Sequence, residues 1–122
     1  MRSTRVLTCA AVALASSAAW AEMVPLTQQE FDEQIVDKTM HAVPVSDPNR
    51  KFIVNLEKGG RAVVSSSYND VGRWRPVDVA GYCTVWNKQA PTERCNKVVR
   101  VDGKLATVDL ATGTVTATID MR

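Results

Sequence analysis

Two hydrophobic periods divide the chain. Between Leu26 and Met40 apolar residues return every third or fourth position, as Phe31, Ile35, Val36 and Met40. That spacing sets them near one face of a helix, with Asp32, Glu33 and Lys38 outside it. Leu26-Thr27-Gln28-Gln29-Glu30-Phe31 supplies the start signal. Thr27 at the N-cap can accept from the Glu30 backbone N–H while the Glu30 carboxylate reaches back to that of Thr27, and Leu26 and Phe31 form the matching hydrophobic staple. The pattern predicts a helix over 28–39.

From Lys51 onward the period is two. Pro44 and Asp47-Pro48-Asn49 end any helical continuation and mark an irregular connection. Residues 52–56 and 61–65 then read as strands around the turn Glu57-Lys58-Gly59-Gly60. A polar loop over 65–70 leads to Gly72-Arg73-Trp74-Arg75, the start of a strand that Pro76 confines to an edge or a strand end. Residues 82–86 and 94–101 form the next two strands, joined by a loop over 87–93. Asp102-Gly103 is the signal of a two-residue hairpin turn, after which 105–110 runs back. In the last strand Val115, Ala117, Ile119 and Met121 alternate with Thr114, Thr116, Thr118 and Asp120, which requires one buried and one wet face. The expected fold is α+β, an N-terminal helix packed on an antiparallel β-meander of six or seven strands. Whether that sheet curls into a partly closed barrel is left open by the pattern.

Composition adds a compartment. Met1-Arg2-Ser3-Thr4-Arg5 is a basic start, Val6 to Ala15 is apolar and Ala-rich, and Ala19-Trp20-Ala21 offers small residues where a signal peptidase reads. The expected organisation is therefore a signal peptide over 1–21, cleaved after Ala21, and a single exported domain over 22–122. The leader takes Arg2 and Arg5 with it, so 15 bases against 13 acids become 13 against 13. A neutral balance argues against nucleic acid or an acidic membrane surface as the partner. An apolar leader run of about 10 residues is too short to span a bilayer, and no transmembrane segment is expected in the mature chain.

Three cysteines become two once Cys9 leaves with the leader. In an exported chain the even pair Cys83 and Cys95 reads as a disulfide. Eleven residues intervene, unlike a Cys-x-x-Cys redox pair, and His41 is the only histidine, too few ligands for a zinc site. Symmetric pairing about Gln89 sets Cys83 opposite Cys95, within reach of a bridge. Cys83 then shares a face with Val85, and Tyr82, Thr84 and Trp86 share the other. No metal or cofactor is expected.

Chemistry-bearing constellations are missing. Ser65-Ser66-Ser67 has no nucleophile-elbow motif, His41 is the only imidazole available as a base, and Asp70, Asp78, Glu93, Asp102 and Asp109 show no spacing of an acid–base pair. Arg73-Trp74-Arg75 admits two readings: an aromatic anchor between guanidinium groups, suited to an anion or an acidic loop, or a core tryptophan whose neighbours point outward. Tyr82 and Trp86 likewise read as a binding platform or as sheet covering, with Arg94 close by. Strand alternation favours the core reading for these aromatics. The candidate binding residues are Arg73, Trp74, Arg75, Tyr82, Trp86 and Arg94. The function expected is a non-catalytic binding or interaction module for a protein or a small ligand. The alternatives are a small hydrolase using a carboxylate pair and a carrier of a small apolar ligand.

The N-terminal helix, Gly72-Arg73-Trp74, Tyr82-Cys83-Thr84-Val85-Trp86 and Arg94-Cys95, followed by a terminal hairpin, together give a limited resemblance. The chain resembles a family of small, one-disulfide periplasmic proteins of unknown function with the pattern Gly-x-Trp … Cys-x-x-Trp … Cys. The likeness covers roughly 26–121. It implies a fold and a periplasmic location, and it implies no activity.

Overall fold

Helix α1 (Gln28–Gln34) begins where its capping box puts it. The Glu30 N–H donates to Thr27 Oγ1 at 3.1 Å and the Thr27 N–H donates to Glu30 Oε1 at 3.0 Å. The computed structural model describes residues 22–122, so the expected leader lies outside the described residues. The helix stops well short of the expected residue 39. Asp37 turns into the left-handed region (φ 61°), a conformation that Asp tolerates better than most residues. Its Oδ1 accepts from the Lys58 N–H at 2.8 Å and its own N–H donates to the Leu56 carbonyl at 2.9 Å. That anchor redirects the chain into an extended segment. Met40 still reaches the core, as the helical spacing requires, but it does so from a strand.

Among the described residues nine strands are present, more than the six or seven expected: β1 (Met23–Pro25), β2 (Thr39–Pro44), β3 (Phe52–Leu56), β4 (Arg61–Ser66), β5 (Asp70–Val77), β6 (Gly81–Trp86), β7 (Arg94–Val101), β8 (Lys104–Asp109) and β9 (Val115–Met121). The two unforeseen ones are β1 and β2. Strands β2 to β9 form an antiparallel meander whose first and last members pair, His41 opposite Asp120 and Ala42 opposite Ile119. The result is a closed eight-stranded barrel with β1 added outside the ring. One edge of β7 is divided between two partners: β6 takes its first half and β1 its second. Across the β6–β7 pair Cys83 faces Cys95, in the register expected, and the sulfurs are bonded.

In a meander the connections alternate between the two ends of the barrel. Helix α1 occupies the end that carries the short turns, among them Gly59-Gly60 and Asp102-Gly103. Leu26, Phe31 and Ile35 are buried there against Met40, Leu56, Ala62, Val98 and Ile119. The Phe31 ring sits 6.3 Å from that of Trp74 and 6.1 Å from that of Tyr82. Arg100 on β7 reaches over the helix to Glu30 at 3.0 Å. An interior of eight strands is only wide enough for side chains or one small ligand, so Phe31 of the helix, with Leu26 before its N-cap and Ile35 at its C-cap, closes that end.

The strict alternation expected for β9 breaks at one point. A bulge opposite Thr107 and Val108 shifts the register, and Val115 turns to an outer cluster with Val99, Ala106 and Val108. Ile119 and Met121 keep to the inner core. The bulge leaves both Thr116 and Ala117 at the open end of the barrel.

Candidate functional site

At the end opposite the helix the inward positions carry small residues: Ala42, Thr84, Thr116 and Ala117. They leave the barrel unfilled, and a cavity of about 450 Å³ opens to solvent. That volume suits a small organic molecule. Phe52, Tyr82 and Trp86 give it aromatic walls, Val54 and Val64 an aliphatic side, and Tyr68 part of the rim. The same period of two that hides Trp74 in the plugged end brings Tyr82, Thr84 and Trp86 onto this inner face.

The polar groups of the mouth are chiefly donors. Arg50 lies with its guanidinium carbon 4.9 Å from the centre of the Phe52 ring, a cation–π contact at the rim. Arg94 pairs with Thr84 across the β6–β7 ladder, so its side chain springs from the inner face. Among the described residues neither arginine makes a salt bridge, and no Asp, Glu or His lines the cavity. Asn96 accepts through Oδ1 from Thr116 at 3.2 Å, Thr116 shares a hydroxyl bond of 2.8 Å with Thr107, and among the described residues the Asn96 amide N–H groups have no acceptor. Tyr82 is 7% exposed, and its hydroxyl has no hydrogen-bond partner among the described residues. Burial pushes its ionisation up to about 12, so the hydroxyl keeps its proton and remains a donor at any physiological pH.

A small latch frames one side of this mouth. The Asp70 carboxylate accepts from the Tyr68 hydroxyl at 2.9 Å, from the Lys88 N–H at 2.9 Å and from the Val71 N–H at 2.8 Å. Desolvation works against its charge, but these hydrogen bonds outweigh it and hold the carboxyl below its usual range. The latch ties the β4–β5 connection to the 3-10 turn Asn87–Gln89. Lys88 adds a bond from Nζ to the Asn69 carbonyl at 2.6 Å.

Three of the six candidate binding residues meet here: Tyr82, Trp86 and Arg94. The other three do not. Trp74 packs against the plug and donates its indole N–H to the Glu57 carbonyl at 2.6 Å. Arg73 and Arg75 point outward on either side of it, and Arg75 forms a bidentate pair with Glu93, both bonds at 3.0 Å. The arginine–tryptophan–arginine run is thus a core residue between two surface residues and not a single site. The residues that sequence reading missed are Arg50, Phe52, Tyr68, Asn96 and Thr116. Only Arg50 carried a usable signal, because it lies two positions before Phe52 and continues the alternation of β3 into the preceding loop.

A larger groove of about 780 Å³ runs outside the barrel between α1 and the β3–β4 turn, past Trp74 and Pro76. Its carboxylates are occupied locally: Asp32 accepts from Gln28, Glu33 from Gln29 and Asp37 from Lys58. Cys83, Glu93 and Cys95 lie together on the outer wall, but the two sulfurs are spent on each other and Glu93 on Arg75. Among the described residues no helix is long and apolar enough to cross a membrane, and the disulfide fits a chain that leaves the reducing cytosol. Comparisons of the chain with protein-family models, with characterised proteins and with solved structures find no match.

Proposed function

We propose that this protein is a non-catalytic binding module of the periplasm that holds one small molecule in the open mouth of its barrel. The observation that carries the reading is the unfilled cavity of about 450 Å³, whose walls combine aromatic faces with hydrogen-bond donors left without partners. A core built only for stability would fill that space, since a void forfeits contacts and a buried donor without a partner costs about 1–3 kcal/mol. The cavity lining offers no carboxylate, imidazole or thiol to act as base or nucleophile, which separates binding from hydrolysis. The disulfide and the leader-like N-terminus support export, and the resemblance to small one-disulfide periplasmic proteins supports the compartment.

The test is a fluorescence titration with the neutral apolar probe N-phenyl-1-naphthylamine. Saturable binding at one site per chain is expected. Ala42→Phe, which fills the mouth, should abolish it while the near-ultraviolet circular dichroism stays native. Absence of saturable binding by this probe and by its sulfonated analogue, or binding indifferent to Ala42→Phe in a folded variant, overturns the reading.

A further inference from the structure

We infer that the molecule held in the mouth is an organic anion: a flat or short apolar body bearing one carboxylate or sulfonate head. This rests on the reading of the mouth as a small-molecule site and specifies what that site takes.

The argument is one of unbalanced charge. Arg50 and Arg94 both line the cavity, and among the described residues neither has an acidic partner. Of the five described arginines outside the mouth four are matched, Arg61 with Glu57, Arg75 with Glu93, Arg100 with Glu30 and Arg122 with Asp120, and Arg73 on the outer wall is the exception. Asp70, the carboxylate of the neighbouring latch, does not line the cavity, and its oxygens are engaged by the Tyr68 hydroxyl and the backbone N–H groups of Val71 and Lys88. The nearby cation Lys88 is turned to the Asn69 carbonyl and the Tyr68 ring. Two arginines on the lining of an aromatic cavity that offers no carboxylate of its own are complementary to a negative head group.

The neutral donors agree with the charge. Tyr82 is buried with its hydroxyl unpartnered, and Asn96 has its carbonyl engaged by Thr116 and its amide N–H groups available. Trp86 lines the same wall with an indole N–H that has no acceptor among the described residues. A ligand that only donates would leave all of these unsatisfied, and a purely apolar one would bury them. An oxyanion accepts from several at once. The aromatic faces of Phe52 and Trp86 then take the apolar body, so recognition divides between a charged rim and a stacked interior.

The experiment compares two probes that differ by one group: N-phenyl-1-naphthylamine, which is neutral, and 8-anilino-1-naphthalenesulfonate, which carries the same rings and a sulfonate. On the intact mature protein at low salt, the anion should bind about tenfold more tightly than the neutral probe, the size expected for one charge-assisted pair. That preference should shrink as salt rises through the range where the screening length falls to about 10 Å. Arg50→Gln and Arg94→Gln should each draw the affinity ratio towards one, whereas Arg73→Gln on the outer wall should leave the ratio where it was. The salt titration of the unmodified protein reads the same property if either variant fails to fold.

A ratio near one in the unmodified protein overturns the anion assignment and leaves the small-molecule reading standing. A high ratio that survives both arginine substitutions, with the fold intact, also overturns it, because the charge would be read elsewhere. Failure of both probes to bind removes the small-molecule reading itself and this inference with it.

Discussion

Removing the Phe31 ring should nearly exhaust the stability of the domain. Phe31 is fully buried in α1 and is the largest side chain of the plug. It touches the rings of Trp74 and Tyr82, at 6.3 and 6.1 Å, and so joins the helix to two strands of the wall. Phe31→Ala deletes that ring and leaves a hole that the closed strand ladder cannot collapse to fill. Large-to-small changes of this kind cost about 3–5 kcal/mol. Small domains have a total of about 5–15 kcal/mol, so the variant should be folded but marginal. For a chain of about 100 residues the loss corresponds to a fall of roughly 15–25 °C in Tm. Urea unfolding followed by tryptophan emission reads the change as a lower midpoint at unchanged slope. Phe31→Leu, which keeps most of the volume, should lose less than half as much. A loss under about 1 kcal/mol for Phe31→Ala would show that Phe31 does not close the barrel.

Three other expectations follow from the same geometry. Replacing Cys83 and Cys95 together by alanine frees a loop of sequence separation 12 and should cost about 3 kcal/mol on the chain-entropy model, read as a lower urea midpoint. Thr27→Ala removes the capping acceptor of α1 and should cost about 1 kcal/mol in the same assay. The Asp70 latch should respond to acid: a carboxyl held low in the folded state contributes stability that is complete above its unfolded value of about 3.9 and is lost as the pH falls through the lower folded value. Hydrogen-exchange protection of the Lys88 amide should therefore persist at neutral pH and drop in that acid window, and Asp70→Asn should remove the dependence.

Local signals carried much of this fold and little of its site. The capping box at Thr27, the Asp102-Gly103 turn and the opposition of Cys83 to Cys95 each depend on residues within about a dozen positions, and each stands where the pattern puts it. Strand β2 was hidden because Val36 and Met40 continue the helical spacing of Phe31 and Ile35; the helix ends instead on the tertiary bonds between Asp37 and the β3–β4 turn. Without β2 there is no partner for β9, so closure of the barrel was not legible either. Its register joins residues about 80 positions apart, as His41 to Asp120, and no local period encodes that. Strand β1 is three residues long and exposed throughout, too short to carry an alternation.

The mouth is assembled from strands far apart in sequence and from one loop arginine. Tyr82, Trp86 and Arg94 were reachable because they flank the disulfide hairpin. Arg50, Asn96 and Thr116 acquire meaning only when the ring closes and a bulge turns Thr116 inward. Trp74 shows the converse: a conspicuous neighbourhood of arginines that the alternation of β5 sends to opposite faces.

The described residues 22–122 contain two indoles with different surroundings, Trp86 lining the mouth and Trp74 bonded to the Glu57 carbonyl beside the plug. Nitrogen–proton correlation spectra during titration with 8-anilino-1-naphthalenesulfonate therefore test the central claim directly. The account predicts that the Trp86 indole N–H resonance shifts progressively to saturation while that of Trp74 stays in place. A shift at Trp74 with Trp86 unmoved, or no shift at either, would contradict it.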